Sequence, residues 1–131
     1  MPKLKRIMTE SDTHQWDLND TYTELRVNEQ VYFEIPSNYP FKPPILMIDN
    51  VPYTRIVTER YKSLLPLIEK NKYPIPCPCC FPIIYDWSPC YTCMDVYMDY
   101  MKYTQKLNYV VKLNKIPFDD LILKNISVFL F

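Results

Sequence analysis

The chain has 131 residues, of which 48% are hydrophobic, and its fifteen basic residues balance fifteen acidic ones. This length predicts a single domain over residues 1–131 with a core of its own, and the zero formal charge argues against nucleic acid or an anionic membrane as a partner. No apolar run reaches the roughly 20 residues that cross a bilayer, and Met1–Glu10 lacks the apolar core of a signal peptide. We therefore expect protein partners and a cytoplasmic or nuclear location.

Glycine is absent from the sequence, although it makes up roughly 7% of an average protein. The turns must therefore use other residues, and Asn and Asp suit them because they tolerate left-handed backbone. Such residues stand at the predicted turns: Asn19, Asp20, Asn28, Asn38, Asp49 and Asn50.

A short amphipathic helix is predicted near the N-terminus, where Leu4, Ile7 and Met8 recur at helical spacing. Three later segments alternate apolar and polar residues or are apolar throughout, as β-strands are: Thr21–Val27, Val31–Pro36 and Ile45–Ile48. Pro36 ends the second of them, because proline donates no hydrogen bond to a ladder. The predicted sheet is an antiparallel meander of about three strands.

The second half of the chain predicts helices. Arg55–Asn71 has apolar residues at helical spacing, although Pro66 should kink the segment or divide it. Thr92 begins a pattern similar to a capping box, and a long helix over Cys93–Leu113 is expected to follow it. Ile116–Phe131 is predicted as a last helix that packs on the core.

The segment Val31–Pro44 reads V-Y-F-E-I-P-S-N-Y-P-F-K-P-P, a strand followed by a rigid, proline-rich turn. It closely resembles the strand and turn of ubiquitin-conjugating enzymes, and Asn38–Pro44 matches their pattern almost letter for letter. Leu4–Ile7, reading L-K-R-I, is similar to the opening of many of these enzymes. The resemblance implies an α+β fold of the ubiquitin-conjugating type, an antiparallel meander flanked by an N-terminal helix and a long central helix.

A cysteine-rich segment carries the second part of the resemblance. Trp87–Pro89, reading W-S-P, and Thr92 match the run that follows the active-site cysteine of that family. The distance back from Trp87 favours Cys79 as the nucleophile, whereas the apolar residues after Cys80 favour Cys80, and we prefer Cys80. The resemblance implies a transferase that carries ubiquitin or a relative as a cysteine thioester, with no cofactor.

The same resemblance implies protein partners: ubiquitin or a ubiquitin-like protein, an activating enzyme and a ligase. We assign partner binding to Lys5, Arg6, Phe41 and Pro43, and a solvated basic face is the alternative interpretation of the two helical residues. The richness in Tyr, Asn, Ile and Lys is typical of an AT-rich genome. A virus is one interpretation of that bias, and it would place the protein in the host-cell cytoplasm.

A departure from the family pattern favours a second interpretation. The His-Pro-Asn tripeptide, whose asparagine assists attack by the substrate lysine in the family, is missing from this chain. The predicted helix Arg55–Asn71 lies in the part of the chain where family members carry that tripeptide. A non-catalytic relative that binds ubiquitin, a ligase or a viral assembly partner is therefore the alternative function.

The cysteines could also be structural or bind a metal. Free cysteines are often small buried hydrophobes, and disulfides are rare in a reducing compartment. The set as a whole offers enough thiolates for a tetrahedral zinc site in a zinc-stapled binding module: Cys77, Cys79, Cys80, Cys90 and Cys93. The spacing is irregular, and zinc would silence a nucleophile that it ligated, so we expect no zinc.

Overall fold

The fold combines α-helices with short antiparallel strands, and the computed structural model describes residues 2–79, 82–115 and 130–131. Within them the helices are α1 (Pro2–His14), α2 (Tyr53–Asn71) and α3 (Cys93–Asn114), and a 3-10 helix covers Ile83–Asp86. The strands are β1 (Asp17–Leu18), β2 (Glu24–Arg26), β3 (Val31–Glu34), β4 (Ile45–Ile48) and β5 (Val51–Pro52). The predicted α+β class is confirmed.

In the described part of the chain, the strands form one five-stranded antiparallel sheet in the order β1-β2-β3-β4-β5. The register places Phe33 opposite Leu25 on one side and Leu46 on the other. All three side chains are completely buried, so one apolar row crosses the middle of the sheet and joins the core. The sequence did not predict β1 and β5, because two residues are too few to show a period.

Asparagine side chains organise two of the turns. Asn28 follows β2, and its side-chain oxygen accepts hydrogen bonds from the backbone N–H groups of Gln30, at 2.8 Å, and Val31, at 2.9 Å. The Asn19 side-chain oxygen accepts from the backbone N–H groups of Thr23, at 2.9 Å, and Glu24, at 3.0 Å, where β2 begins. These side chains replace backbone partners, which lets the turns form without glycine.

Left-handed backbone occurs at non-glycine residues. Asp49 and Asn50 have φ values of 51° and 63° and form the two-residue turn between β4 and β5, at a position that the sequence predicted. Gln15, Tyr22 and Lys72 also have positive φ, and Lys72 ends α2 as its left-handed cap. The sequence did not predict these three, because Gln, Tyr and Lys have no strong preference for that conformation.

The prediction for α1 was wrong about its length and about two of the three residues on its buried face. The helix has 13 residues, and Leu4 and Met8 are 36% and 46% exposed. Of the three predicted apolar residues, Ile7 is completely buried, and the face that enters the core also carries Glu10, which is 5% exposed. An acidic residue was not expected on that face, and its partners are described below.

Pro66 was predicted to kink the next helix or divide it, and it does not divide it, because α2 is continuous through it. Proline removes one backbone hydrogen bond, but packing of the buried Val57 and Ile68 holds the helix on either side of it. The prediction for α3 is confirmed to within one residue at its end. It begins at Cys93, with a capping box between Thr92 and Asp95.

The core consists of two groups of buried side chains, and both lie against α3. The first joins α1 and the sheet to the start of α3: Ile7, Leu25, Phe33, Ile35, Tyr39, Leu46, Tyr53, Cys93 and Val96. The second joins α2 to the rest of α3: Val57, Ile68, Tyr73, Ile75, Tyr103, Leu107, Val110 and Leu113. Among the described helices, none combines the length and apolar character needed to cross a membrane.

The predicted last helix falls mostly on residues 116–129, which lie outside the described residues. Beyond them, the Phe131 ring packs on the second group of the core. Its centroid lies 5.3 Å from that of Tyr73 and 6.2 Å from that of Tyr109. The end of the chain therefore returns to the junction between α2 and α3.

Candidate functional site

The segment between α2 and α3, residues 73–92, holds four of the five cysteines, and we call it the cysteine loop. Its first part is held against the fold rather than projecting from it. Tyr73, Ile75 and Pro78 are buried, and the Tyr103 hydroxyl donates a hydrogen bond of 2.7 Å to the Pro76 carbonyl. The backbone on both sides of Cys77 is therefore anchored.

Cys77 and Cys79 bring their thiols together on the surface. Their Sγ atoms are 2.7 Å apart, and both residues are exposed. Of the two predicted nucleophiles, Cys79 is thus accessible from solvent, whereas Cys80 lies outside the described residues. The choice between them stays open.

Tyrosine hydroxyls from two helices lie near this pair of thiols. Burial raises the pKa of Tyr61, on α2, and the neighbouring Cys77 adds to the effect. Burial likewise raises the pKa of Tyr103, on α3, and the neighbouring Tyr61, Cys77 and Cys79 add to the effect. Both hydroxyls therefore stay protonated at neutral pH and can donate hydrogen bonds.

The second part of the cysteine loop is fastened to the proline-rich turn of Val31–Pro44. The Trp87 indole N–H donates to the Pro40 carbonyl at 2.8 Å, and the Trp87 ring packs 5.5 Å from that of Tyr91. Trp87 and Pro40 are 47 positions apart in the sequence, so their hydrogen bond is a tertiary contact. It joins the two segments whose sequences carry the family resemblance.

Asp99 holds the 3-10 helix from the side of α3. Its carboxylate accepts from the Ile83 backbone N–H at 3.2 Å and from the Tyr53 hydroxyl at 3.5 Å. Burial raises the pKa of Asp99, while the hydrogen bonds from Ile83 and Tyr53 act in the opposite direction. Asp99 was not singled out from the sequence, because only the folded chain brings Ile83 close to it.

A buried polar cluster lies beneath the loop, where α1, the proline-rich turn and the start of α3 meet. Glu10 accepts from the Cys93 backbone N–H at 2.6 Å and from the Tyr39 hydroxyl. The Cys93 thiol donates to the Tyr39 oxygen at 3.6 Å, and the Arg6 guanidinium lies 3.8 Å from Glu10. Glu10 thus supplies an acceptor to an N–H at the start of α3, where unpaired donors and the helix dipole favour a carboxylate.

This cluster removes Cys93 from the candidate metal ligands. Its side chain is completely buried. Burial raises the pKa of the Cys93 thiol well above its ordinary value, and the adjacent Glu10 carboxylate raises it further. The thiol therefore stays neutral, and only thiolates attack or bind metal. The interpretation of the cysteines as small buried hydrophobes fits Cys93 but not Cys77, Cys79 and Cys90, which are exposed.

Cys90, the remaining described cysteine, is exposed near the start of α3. Its Sγ lies 3.1 Å from the Ser88 hydroxyl. Within residues 2–79, 82–115 and 130–131, no three Cys, His, Asp or Glu side chains form a group that could hold a metal ion. The expectation that the chain holds no zinc stays a prediction.

The residues assigned to partner binding differ in their accessibility. Lys5 is exposed, Phe41 is 66% exposed, and Pro43 is half-buried. Arg6 is engaged within the fold instead, because its guanidinium donates to the carbonyls of Pro89 at 2.8 Å and Tyr91 at 2.6 Å. These hydrogen bonds hold the end of the cysteine loop against α1, so Arg6 is less suited to contact a partner protein.

Comparisons with protein-family models, with curated proteins and with solved structures found no match for this chain.

Proposed function

We propose that the chain is a divergent member of the ubiquitin-conjugating family that carries ubiquitin or a ubiquitin-like protein as a thioester on Cys80 or Cys79. The activating enzyme would supply the modifier, and a ligase would direct its transfer. Lys5 and Phe41 are the exposed residues proposed to contact these partners.

The observation that carries the proposal is the hydrogen bond from Trp87 to the Pro40 carbonyl, at 2.8 Å. The two segments resembling the family were identified separately in the sequence, and this bond holds them together. The contact supports the proposal because the resemblance assigns both segments to one fold. It also fixes the distance between the proline-rich turn and the loop that carries the proposed nucleophile.

The order of the elements gives further support. An N-terminal helix, an antiparallel meander and a long capped helix occur in the order implied by the resemblance, with α2 and the cysteine loop between the meander and that long helix. The exposure of Cys79 also suits a group that must reach the thioester of another protein. A buried cysteine such as Cys93 could not do so.

The proposed chemistry needs only an accessible thiolate. It attacks the carbonyl carbon of the modifier's thioester on the activating enzyme, whose cysteine leaves as a thiolate. An amine of the target then attacks the new thioester, the amide bond forms, and the chain's own thiolate is released. The amine's proton passes to water or a nearby base.

The transfer to lysine is expected to be slow. The His-Pro-Asn tripeptide is missing from the sequence, and α2, over Tyr53–Asn71, occupies that part of the chain. The hydroxyls near the thiols belong to Tyr61 and Tyr103, and that of Tyr103 is already bonded to the Pro76 carbonyl. Tyr61 is thus the side chain from α2 proposed to contact the loaded cysteine.

A non-catalytic binding module is the second candidate, and the same helix favours it. Helix α2, which packs along α3, lies in the part of the chain where the family carries the His-Pro-Asn tripeptide. In such a protein the fold would present Phe41 and its neighbours to ubiquitin or a ligase without carrying a modifier.

The decisive experiment incubates the chain with activating enzyme, ATP and ubiquitin or its relatives and analyses the products on a non-reducing gel. The proposal predicts an adduct that a thiol reagent removes and that is lost in Cys80→Ala or Cys79→Ala. Cys90→Ala is the matched control, because Cys90 is also exposed in the cysteine loop. No thiol-sensitive adduct with any modifier would refute the transferase, and saturable binding of uncharged ubiquitin would then support the second candidate.

A further inference from the structure

The thiols of Cys77 and Cys79 lie close together, and the transfer reaction does not require this. Transfer needs one thiolate, yet the two Sγ atoms face each other at 2.7 Å. That separation is shorter than an ordinary non-bonded contact between sulfurs, and a disulfide brings them to about 2.05 Å. The two sulfurs would need to approach by less than about 1 Å to reach that distance.

The surrounding structure holds this arrangement. The loop is fixed before Cys77 by the hydrogen bond from Tyr103 to the Pro76 carbonyl and between the two cysteines by the buried Pro78. Proline also fixes one backbone dihedral of the short connection. The thiols therefore meet through the conformation of an anchored loop, and both are exposed to a soluble oxidant.

We propose that Cys77 and Cys79 are a redox pair that closes reversibly to a disulfide and thereby withdraws the Cys79 thiol from covalent transfer. The bridge itself does not depend on the proposed function, but its consequence for transfer rests on it. Because the ring encloses one intervening residue, the bridge restrains little of the unfolded chain. It is suited to a labile, regulatory bond rather than a structural one.

The oxidant is a small-molecule disulfide such as oxidised glutathione. The thiolate of one cysteine attacks it, forms a mixed disulfide and releases one glutathione thiolate. The second cysteine, as a thiolate, attacks the protein sulfur of that mixed disulfide and releases the other glutathione. Two protein thiols lose their protons and two electrons, and one oxidised glutathione becomes two reduced glutathione molecules.

The test equilibrates the purified full-length chain in buffers of reduced and oxidised glutathione, blocks the remaining thiols and measures the intact mass. The expected product lacks two hydrogen atoms, carries no glutathione and returns to the dithiol on reduction. Cys80→Ser and Cys90→Ser should still form it, and Cys77→Ser and Cys79→Ser should stop at a glutathione adduct. A wild-type chain that stops at adducts, or a bridge that survives Cys77→Ser, would overturn the inference.

A second measurement compares charging with ubiquitin before and after re-reduction, in Cys80→Ser so that only Cys79 can serve as the proposed nucleophile. The oxidised chain, freed of glutathione, should lose its adduct and recover it on reduction. Equal charging in both states would overturn the consequence for transfer. If wild-type chain is charged in neither state, the proposed function fails, while the mass measurement still decides whether the redox pair exists.

Discussion

Replacing Glu10 with alanine should destabilise the fold strongly, because its carboxylate is the acceptor shared by three elements. It accepts from the Cys93 backbone N–H at 2.6 Å and from the Tyr39 hydroxyl, and Arg6 lies 3.8 Å away. The side chain is nearly inaccessible to solvent. Water therefore cannot easily take its place once it is removed.

The size of the effect follows from the partners that lose their acceptor. A buried donor left unpaired costs roughly 1–3 kcal/mol, so the Cys93 N–H and the Tyr39 hydroxyl together give about 2–6 kcal/mol. Arg6 adds little, because it keeps the carbonyls of Pro89 and Tyr91. The loss is a large part of the roughly 5–15 kcal/mol that stabilises a typical domain.

The matched control is Glu59→Ala. Glu59 also pairs with an arginine one helical turn earlier, at 3.2 Å from Arg55, but both side chains are 68% exposed. Exposed pairs of this kind contribute about 0.3–0.5 kcal/mol. The two substitutions remove the same side chain from similar helical pairs and differ mainly in burial.

The assay is urea unfolding at neutral pH, followed by helical circular dichroism and by the fluorescence of Trp16 and Trp87. Glu10→Ala should lower the free energy of unfolding by at least about 2 kcal/mol, with Glu59→Ala close to wild type. A Glu10→Ala chain as stable as Glu59→Ala would refute the reasoning, because the carboxylate would then not be the buried acceptor of those hydrogen bonds.

Two further predictions concern the cysteine loop and α3. Trp87→Phe keeps a ring but leaves the Pro40 carbonyl without its donor, so unfolding in urea should show a loss of about 1 kcal/mol, and unchanged stability would contradict this. Because burial raises the pKa of Asp99 above its ordinary 3.8, its contribution to stability is complete below pH 3.8 and is lost as the pH rises through the raised value. Asp99→Asn, which keeps an oxygen to accept from Ile83, should therefore stabilise the chain at pH 7 but not in acid, and a gain that is constant with pH would contradict the prediction.

Local signals in the sequence predicted part of this fold well. The start of α3 was predicted because the capping box at Thr92 depends on residues only three apart. The turn at Asp49 and Asn50 was likewise predicted from the preference of those residues for left-handed backbone. Each of these features is decided by neighbours in the sequence.

Features that depend on distant partners were not predicted. Glu10 lies on the buried face of α1 because Tyr39 and Cys93 approach it from other elements, and a sequence pattern assigns a glutamate to the solvent side. The sequence signal that could have indicated its burial is its position three residues after Ile7, which places both residues on one face of a helix. Arg6 was likewise predicted to contact partner proteins. Its acceptors within the fold, the carbonyls of Pro89 and Tyr91, lie more than 80 residues away in the sequence, so no local pattern indicates them.

The turns built without glycine change the balance between the folded and unfolded chain. Holding Gln15, Tyr22 and Lys72 at positive φ strains the folded state, because a Cβ atom crowds the backbone there. In the denatured ensemble, however, every residue that replaces a glycine restricts the conformations available, which is worth about 0.4–1 kcal/mol where the native backbone suits it. The backbone of this chain therefore loses less conformational entropy on folding than that of a protein of ordinary composition. This smaller loss offsets the strain at its turns.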